Sequence, residues 1–442
     1  MAGDNHKILK DFTGQQMVAA LRTIGAALKP KGAGVVYGFR INANESEPTA
    51  SVTYTRDAWN MLSASMDFSA GTFDYGTWKD AFFMPRPCML KYDGTVDYYL
   101  SETDYTKRED GSTASDVADT AYEGNAMMEW GRDGKIIWYK VIPSEDKQSC
   151  EVLIADHQED DGFVCWPFVN AKGEIGEHFY TPIYNGTVVN GKLRSMSGLS
   201  WETYGCKSKT AQQERDLARA NGAGWDTEVY CDVILVNLLL TLISKSLASQ
   251  TKFGEGLSAS GSDTVNNGFT TGVHNAKGLF FGTNSGAAAT YTNAVKVFGM
   301  ENWWGFQCRR FGGLVNDNGT MRYKLTHSQL DGSGVGDYVI STSATDYRNY
   351  LDGGSLPAAS VAYIQKMEWG EDGSYTPTAA AGTATTYYCD GLWTNNRQVD
   401  YAFHGGGSGD GLRVGAWSLN LRPAAGLVGW FVGAAPSCKP QS

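Results

Sequence analysis

The sequence predicts an α+β protein in which short strands and long ordered loops outnumber helices. Two observations lead to this fold class. Glycine supplies 53 of the 442 residues, and aromatic residues supply 12%, which is typical of tight turns and short strands rather than of a helical bundle. Dipeptides that favour hairpin turns also recur along the chain, at Asp93-Gly94, Asp110-Gly111, Asp133-Gly134, Asn190-Gly191 and Asp372-Gly373.

The first 70 residues are predicted to form a small α+β module. Apolar residues recur at helical spacing over residues 7–28, and Pro30 and Gly32 end that helix. Residues 35–54 predict two strands with the polar segment 42–48 between them. We expect this N-terminal module to dock on a larger assembly.

Residues 71–442 are predicted to form a second domain that contains two helices, at 210–221 and 227–246. The apolar stretch in the second helix spans about 15 residues, whereas a membrane span needs ~20. We therefore predict a buried core helix and no membrane insertion.

Two hairpins are predicted in this domain. One covers residues 128–142 and turns at Asp133-Gly134, and the other covers residues 315–325 and turns at Asn318-Gly319. The motif Met-Glu-Trp-Gly-x-Asp-Gly occurs at residues 128–134 and again at 367–373. We interpret the repetition as the same type of hairpin formed at two places in the chain, and not as a duplicated domain.

The charge and the cysteines exclude several classes of protein. A net charge of −11 argues against nucleic acid as a general partner, although residues 391–442 carry a net charge of +2, which indicates a surface of different purpose. None of the eight cysteines has C-x-x-C spacing. We predict mostly buried free thiols, as in a protein that assembles in a reducing cytoplasm.

Motifs for catalysis or metal binding are missing from the sequence. It contains neither a phosphate-binding G-x-x-x-x-G-K-[ST] motif nor a G-x-S-x-G nucleophile elbow, and its six histidines lack H-x-x-x-H spacing. The acidic segment 156–161 is interpreted as a solvated loop, and the glycine-rich segment 331–337 as a turn. We therefore expect no catalytic residues, no metal site and no cofactor.

The C-terminus carries a pattern of small and aromatic residues. Gly405-Gly406 opens the pattern, Val414-Gly415 and Ala425-Gly426 lie within it, and Trp430 and Gly433 close it. This arrangement resembles the end of variable proteins that are diversified by retroelements, in which Ala-Gly and Ala-Ser are usual at the two inner positions. These variable proteins have a C-type lectin fold.

Other stretches extend the resemblance to most of the chain from about Gly71. Residues 298–306 are similar to the Gly-Asn-Val-Trp-Glu-Trp segment of C-type lectin domains of the formylglycine-generating-enzyme subtype. Residues 86–99, 193–198 and 222–225 look like parts of virion proteins of phages that infect gut Firmicutes. The resemblance implies a C-type lectin fold for residues 71–442, with a variable binding region at about 391–434.

The residues of this region support the resemblance independently. Leu419 and Leu421 alternate with polar residues, as in a strand with one buried face, and Trp430 is assigned to the core. The remaining positions are chemically miscellaneous, as a variable surface on a rigid frame requires, although an ordinary C-terminal hairpin is an open alternative. The predicted ligand-binding residues are Trp393, Asn395, Asn396, Arg397, Tyr401, Gly407, Ser408, Asp410, Leu412, Arg413, Ser418, Asn420, Arg422, Pro423, Leu427, Val428, Phe431 and Val432.

The resemblance implies a non-enzymatic receptor-binding protein of a phage tail. Because the N-terminus lacks the features of a signal peptide, we expect synthesis in the bacterial cytoplasm and release by lysis within a virion. The expected partners are a bacterial surface protein or glycan and other tail proteins, and a homotrimer would add avidity. One alternative is a structural virion or baseplate component with a fixed protein partner. Another is an oxidase of the same fold subtype that uses paired thiols, for which Cys389 and Cys438 are the C-terminal candidates.

Overall fold

The computed structural model describes residues 34–258, 268–284, 293–326, 350–358 and 361–440. Strands account for 36% of the described residues and helices for 12%, which confirms the α+β class. The predicted N-terminal helix over residues 7–28, the turn at 331–337, His6 and His327 lie outside the described residues.

The described ranges contain four helices, which are α1 Trp201–Tyr204, α2 Ala211–Arg219, α3 Tyr230–Ser244 and α4 Ser249–Phe253. Helix α2 begins after Thr210, whose hydroxyl accepts a hydrogen bond from the backbone N–H of Gln213, while the side-chain oxygen of Gln213 accepts one from the backbone N–H of Thr210. Every residue of α3 is buried, as predicted for the core helix. None of these helices combines the length and apolarity that crossing a bilayer requires.

The strands are short. The first thirteen are β1 Val36–Ile41, β2 Val52–Arg56, β3 Ser65–Asp67, β4 Thr72–Asp74, β5 Arg86–Lys91, β6 Val96–Tyr99, β7 Gly124–Trp130, β8 Trp138–Pro143, β9 Cys150–Ala155, β10 Phe179–Pro182, β11 Gly186–Val189, β12 Lys192–Ser195 and β13 Trp225–Thr227. The others are β14 Lys296–Val297, β15 Met300–Glu301, β16 Cys308–Asp317, β17 Thr320–Tyr323, β18 Leu351–Ser355, β19 Ala362–Tyr363, β20 Lys366–Trp369, β21 Tyr375–Ala379, β22 Gly391–Thr394, β23 Val399–Gly405, β24 Gly415–Leu421, β25 Val432–Ala434 and β26 Pro436–Cys438.

Three sheets organise the protein. The four-stranded sheet has the order β2-β1-β9-β8, and the six-stranded sheet has the order β13-β26-β10-β7-β5-β6. The eight-stranded sheet runs β18-β17-β16-β23-β24-β22-β19, with β25 pairing in parallel to β16. The strands β3-β4, β11-β12, β14-β15 and β20-β21 form separate two-stranded pairs.

Helix α3 lies in the core that these sheets share. The Tyr54 hydroxyl of β2 donates to the carbonyl of Leu242 at 2.6 Å. On another side, the Asn237 side chain donates to the carbonyl of Ala416 in β24 at 2.6 Å and accepts from the indole of Trp303 at 3.1 Å. These bonds satisfy polar groups inside an apolar interior, where each unsatisfied group costs about 1–3 kcal/mol.

The predicted strand pair at residues 35–54 is confirmed. Strands β1 and β2 pair antiparallel, and β1 also pairs with β9, with Phe39 opposite Val152. Phe39 and Val152 belong to the same hydrophobic cluster as Trp130 and Trp417. The sheet and its core therefore join residues on both sides of the boundary predicted near residue 70.

The predicted hairpin at residues 128–142 is wrong. Strand β7 is buried along its whole length and pairs with β5 on one side and β10 on the other, so neither of its edges is open to β8. The chain turns at Gly131 and Asp133, which have positive φ, and β8 pairs with β9 in the four-stranded sheet. The second copy of the motif does form a hairpin, in which Trp369 lies opposite Tyr375.

Two other predictions are confirmed. Strands β16 and β17 form the hairpin that turns at Asn318 and Gly319, whose φ values of 50° and 96° fit a turn that needs two left-handed residues. All eight cysteines are free and buried.

Candidate functional site

The frame of the predicted binding region is a pair of parallel strands, β22 and β24, in which Leu392 lies opposite Leu419. Leu419 and Leu421 are fully buried, as the alternation predicted. Trp417 lies on the same strand, with Tyr375 and Trp369 packed edge-on at 5.2 and 5.7 Å between ring centroids. The frame is therefore anchored in the main core and holds its backbone in place.

A groove of about 420 Å³ lies where β22 and β24 end. It brings together the segment after β22, the residue after β24 and the segment after β18. Its lining residues are Ala358, Thr394, Asn395, Asn396, Arg397, Gln398 and Arg422. Four of these, Asn395, Asn396, Arg397 and Arg422, are predicted site residues, and Asn420 is half-buried on the adjoining end of β24.

Asn316 of β16 holds the two main walls of the groove together. Its side-chain amide donates to the carbonyl of Asn395 at 2.8 Å and to the carbonyl of Leu421 at 2.9 Å. Its side-chain oxygen accepts from the backbone of Gly319 at 2.8 Å. Asn316 is fully buried, so these three bonds fix the groove from beneath without contacting solvent.

The groove has cationic sides and a buried acid beneath it. Arg397 and Arg422 are exposed. The carboxyl group of Asp400 accepts hydrogen bonds from the side chains of Gln398 and Asn395. Burial raises the pKa of Asp400 to about 6, while these hydrogen bonds and the charge of Arg422 act in the opposite direction. Near neutral pH the exposed groups of the groove therefore favour an anionic or hydrogen-bond-accepting ligand.

The C-terminal excess of positive charge is only partly a surface feature. Lys439 is buried and forms an ion pair with Asp232 of α3 at 2.6 Å. It also donates to the carbonyl of Pro167 at 2.8 Å. This cation fastens the end of the chain to the core and does not contribute to a binding face.

Seven of the predicted site residues are buried, so their assignment as ligand contacts is wrong for this arrangement of the chain. They are Trp393, Tyr401, Gly407, Ser408, Ser418, Pro423 and Val432. Two causes are visible: Val432 lies in β25, opposite Cys308 of β16, and the backbone of Tyr401 donates to the carbonyl of Pro423 at 2.8 Å. The sequence pattern could not show that a later segment of the chain packs over the sheet that carries these residues.

The cover is a crossover, residues 422–431, that leads from β24 to β25. It packs on Phe403 through Leu427 and Phe431, and the carbonyl of Leu427 accepts from Arg310 at 2.7 Å. Val428 is 44% exposed on this crossover. Trp430 is only half-buried, so its assignment to the core is wrong; its carbonyl, rather than its ring, is fixed by the indole of Trp201 at 3.1 Å.

The remaining predicted residues lie at the opposite end of β24. Asp410, Leu412 and Arg413 belong to or flank a short 3-10 turn before the strand, and Leu412 is 47% exposed. Six residue steps of a strand span roughly 20 Å, so this turn is well separated from the groove. The predicted residues therefore form two surface patches instead of one.

Three lining residues of the groove, and Asn316 beneath it, were not predicted as site residues. Thr394 and Gln398 lie inside the predicted binding region, and their polar side chains could have marked them as candidate site residues. Ala358 and Asn316 come from strands or loops more than thirty residues earlier in the sequence, and nothing local distinguished them.

The chemistry of an oxidase is not assembled from the predicted thiols. Cys438 packs in β26 with Cys88 and Trp225, whereas Cys389 lies before β22, next to Asp390. Burial raises the pKa of both thiols. In the part of the chain that the structure describes, no three His, Cys, Asp or Glu side chains converge as a metal site would require.

Comparison with known protein families finds no matching family model, and comparison with curated proteins finds no significant match.

Proposed function

We propose that the chain is a receptor-binding protein of a bacteriophage tail, and that the groove and the adjoining crossover contact a ligand on the bacterial surface. The observation that carries the proposal is the groove itself. Exposed side chains of mixed chemistry, at Asn396, Arg397, Arg422 and Val428, project from a backbone that is anchored in the core.

The physical argument is one of preorganisation. Buried strands hold β22 and β24, and Asn316 holds the segments that leave them, so binding does not have to order this backbone. Side chains at exposed positions are then exchangeable at small cost, because surface substitutions usually change stability by less than about 0.5 kcal/mol. A surface of this kind suits a protein whose ligand changes.

The proposed fold, location and copy number follow from the resemblance to variable proteins that are diversified by retroelements. We propose a C-type lectin fold for the domain from about residue 71, assembly in the virion, and presentation in several copies. A homotrimer would bring three grooves to one cell surface and raise the apparent affinity without new contacts.

The test is attachment of the fluorescently labelled full-length protein to a panel of intact gut Firmicutes strains, measured by flow cytometry. The groove variant replaces Arg397 and Arg422 with Ala. The control variant replaces Arg40 and Lys172 with Ala, which removes the same charge from exposed positions outside the groove. We expect the groove variant to bind at least ten-fold more weakly than the wild type, and the control variant to bind like the wild type.

Equal attachment of the two variants would contradict the proposal. So would the absence of attachment to every strain, which would favour the alternative of a structural tail component. For that alternative, the exposed groove residues would be covered by a fixed neighbour in the assembled particle.

A further inference from the structure

A second cleft, of about 580 Å³, is built by elements that take no part in the groove. The long loop between β4 and β5 forms one wall, and the turn after β7 forms another. Residues 102–103 and 278–279 complete it. Its volume falls within the range of about 300–1,000 Å³ that is usual for sites of small ligands.

Two aromatic rings line this cleft, Tyr75 and Phe82, and both are half-buried. Tyr75 packs edge-on against Phe73 and Phe280, with ring centroids 4.9 and 5.7 Å apart. Phe82 stacks on Tyr37 at 5.9 Å with an interplanar angle of 8°. Aromatic neighbours therefore fix both rings while leaving part of each ring accessible.

The polar lining of the cleft is balanced in charge. Three basic side chains, Lys79, Arg132 and Lys135, stand with three acidic ones, Asp80, Glu102 and Asp133. Arg132 and Glu102 form an ion pair at 2.9 Å in which both side chains stay more than one third exposed. The turn that carries Arg132 is closed by two backbone hydrogen bonds of 3.1 Å, from Gly134 to Gly131 and from Lys135 to Arg132.

This lining selects among ligand classes. A polyanion would have no net electrostatic attraction to a lining whose charges balance. A lipid chain would place six charged side chains in contact with hydrocarbon, which is unfavourable. Carboxylates only accept hydrogen bonds and Lys and Arg only donate them, whereas a hydroxyl group does both. A ligand rich in hydroxyl groups that also has apolar faces matches the charged rim and the aromatic rings together.

We propose that this cleft is a saccharide-binding site, in which sugar rings pack on Tyr75 and Phe82 while their hydroxyl groups bridge Glu102 and Arg132. The site is separate from the groove. A protein with both would hold a bacterial surface through two independent contacts.

The test uses the full-length protein on a printed array of bacterial surface oligosaccharides, followed by calorimetric titration of the bound oligosaccharide. Inositol hexakisphosphate and dodecylphosphocholine serve as the polyanion and lipid probes. The test variant is Glu102→Gln with Arg132→Gln. The matched control is Lys91→Gln with Asp97→Asn, which removes an exposed ion pair of 3.0 Å outside the cleft. Exposed ion pairs of this kind contribute little to stability, so both variants should fold.

We expect the wild type to bind at least one oligosaccharide, the test variant to lose at least ten-fold in affinity, and the control to keep its affinity. The groove variant at Arg397 and Arg422 should also keep it, which separates this proposal from the proposed function. Failure to bind any oligosaccharide of the array overturns the inference. So does equal binding by the test variant, or binding of the polyanion or the lipid probe in its place.

Discussion

Replacement of Asn316 with Ala should destabilise the protein and loosen the groove. The substitution removes two hydrogen bonds that the side chain donates, to the carbonyls of Asn395 and Leu421, and one that it accepts from Gly319. Each such bond contributes about 1 kcal/mol net. Because Asn316 is fully buried, water does not readily replace it. We therefore expect a loss of about 3 kcal/mol in the free energy of unfolding.

The assay is urea unfolding of the full-length protein, followed by Trp fluorescence and far-ultraviolet circular dichroism. The control is Asn396→Ala, which removes the same kind of side chain from an exposed position in the same groove. It should stay within about 0.5 kcal/mol of the wild type. If Asn316→Ala also stays within that limit, the interpretation of Asn316 as the residue that holds the groove is refuted.

Three further predictions concern the core, the acid beneath the groove and the crossover. Lys439→Met should cost about 3–5 kcal/mol in unfolding free energy, because it leaves Asp232 buried without its cation, and adding Asp232→Asn should restore part of the loss. The raised pKa of Asp400 means that the folded state binds this proton more tightly than the unfolded state. The stabilisation of the folded state by this proton is therefore fully present below about pH 4 and is lost as the pH rises through about 6. The substitution Asp400→Asn should remove that part of the pH dependence of the melting temperature. Val432→Asp should destabilise by at least 3 kcal/mol in urea unfolding, whereas Val428→Asp should change stability by less than about 0.5 kcal/mol; equal effects would contradict the description of the crossover.

Local features of the sequence predicted local features of the fold. The turn at Asn318-Gly319 follows from the ability of those two residues to adopt positive φ, and the hairpin forms there. The helix predicted at residues 210–221 is α2, and the structure shows a capping box between Thr210 and Gln213 at its start. The mostly apolar stretch over residues 229–243, interrupted by Asp232 and Asn237, predicts a buried core helix, and every residue of α3 is buried.

Pairing between distant strands could not be predicted in the same way. The motif that turns at Asp372-Gly373 forms a hairpin, but the matching motif at Asp133-Gly134 does not. The difference lies in β7, whose two edges are occupied by β5 and β10. Those strands are distant in sequence from the turn, so no local signal could separate the two motifs.

In the candidate site too, local features could be predicted from the sequence, whereas contacts between distant segments could not. The alternation around Leu419 and Leu421 predicted the buried face of β24, since a strand with one buried face has a period of two. The opposite face was expected to be exposed, but the crossover through Leu427 and Phe431 packs on Phe403 and covers it. Exposure on that side depends on where the chain goes after Arg422, which is a tertiary feature.

Deep sequencing of the 3′ end of the gene in a phage population that carries it tests the central claim most directly. We predict that substitutions concentrate at the exposed positions of the groove and crossover, Asn396, Arg397, Arg422 and Val428, while buried Trp417 and Val432 stay fixed. Substitutions spread evenly along the gene, or absent from these exposed positions, would contradict a diversified binding surface and would favour a tail component with a fixed partner.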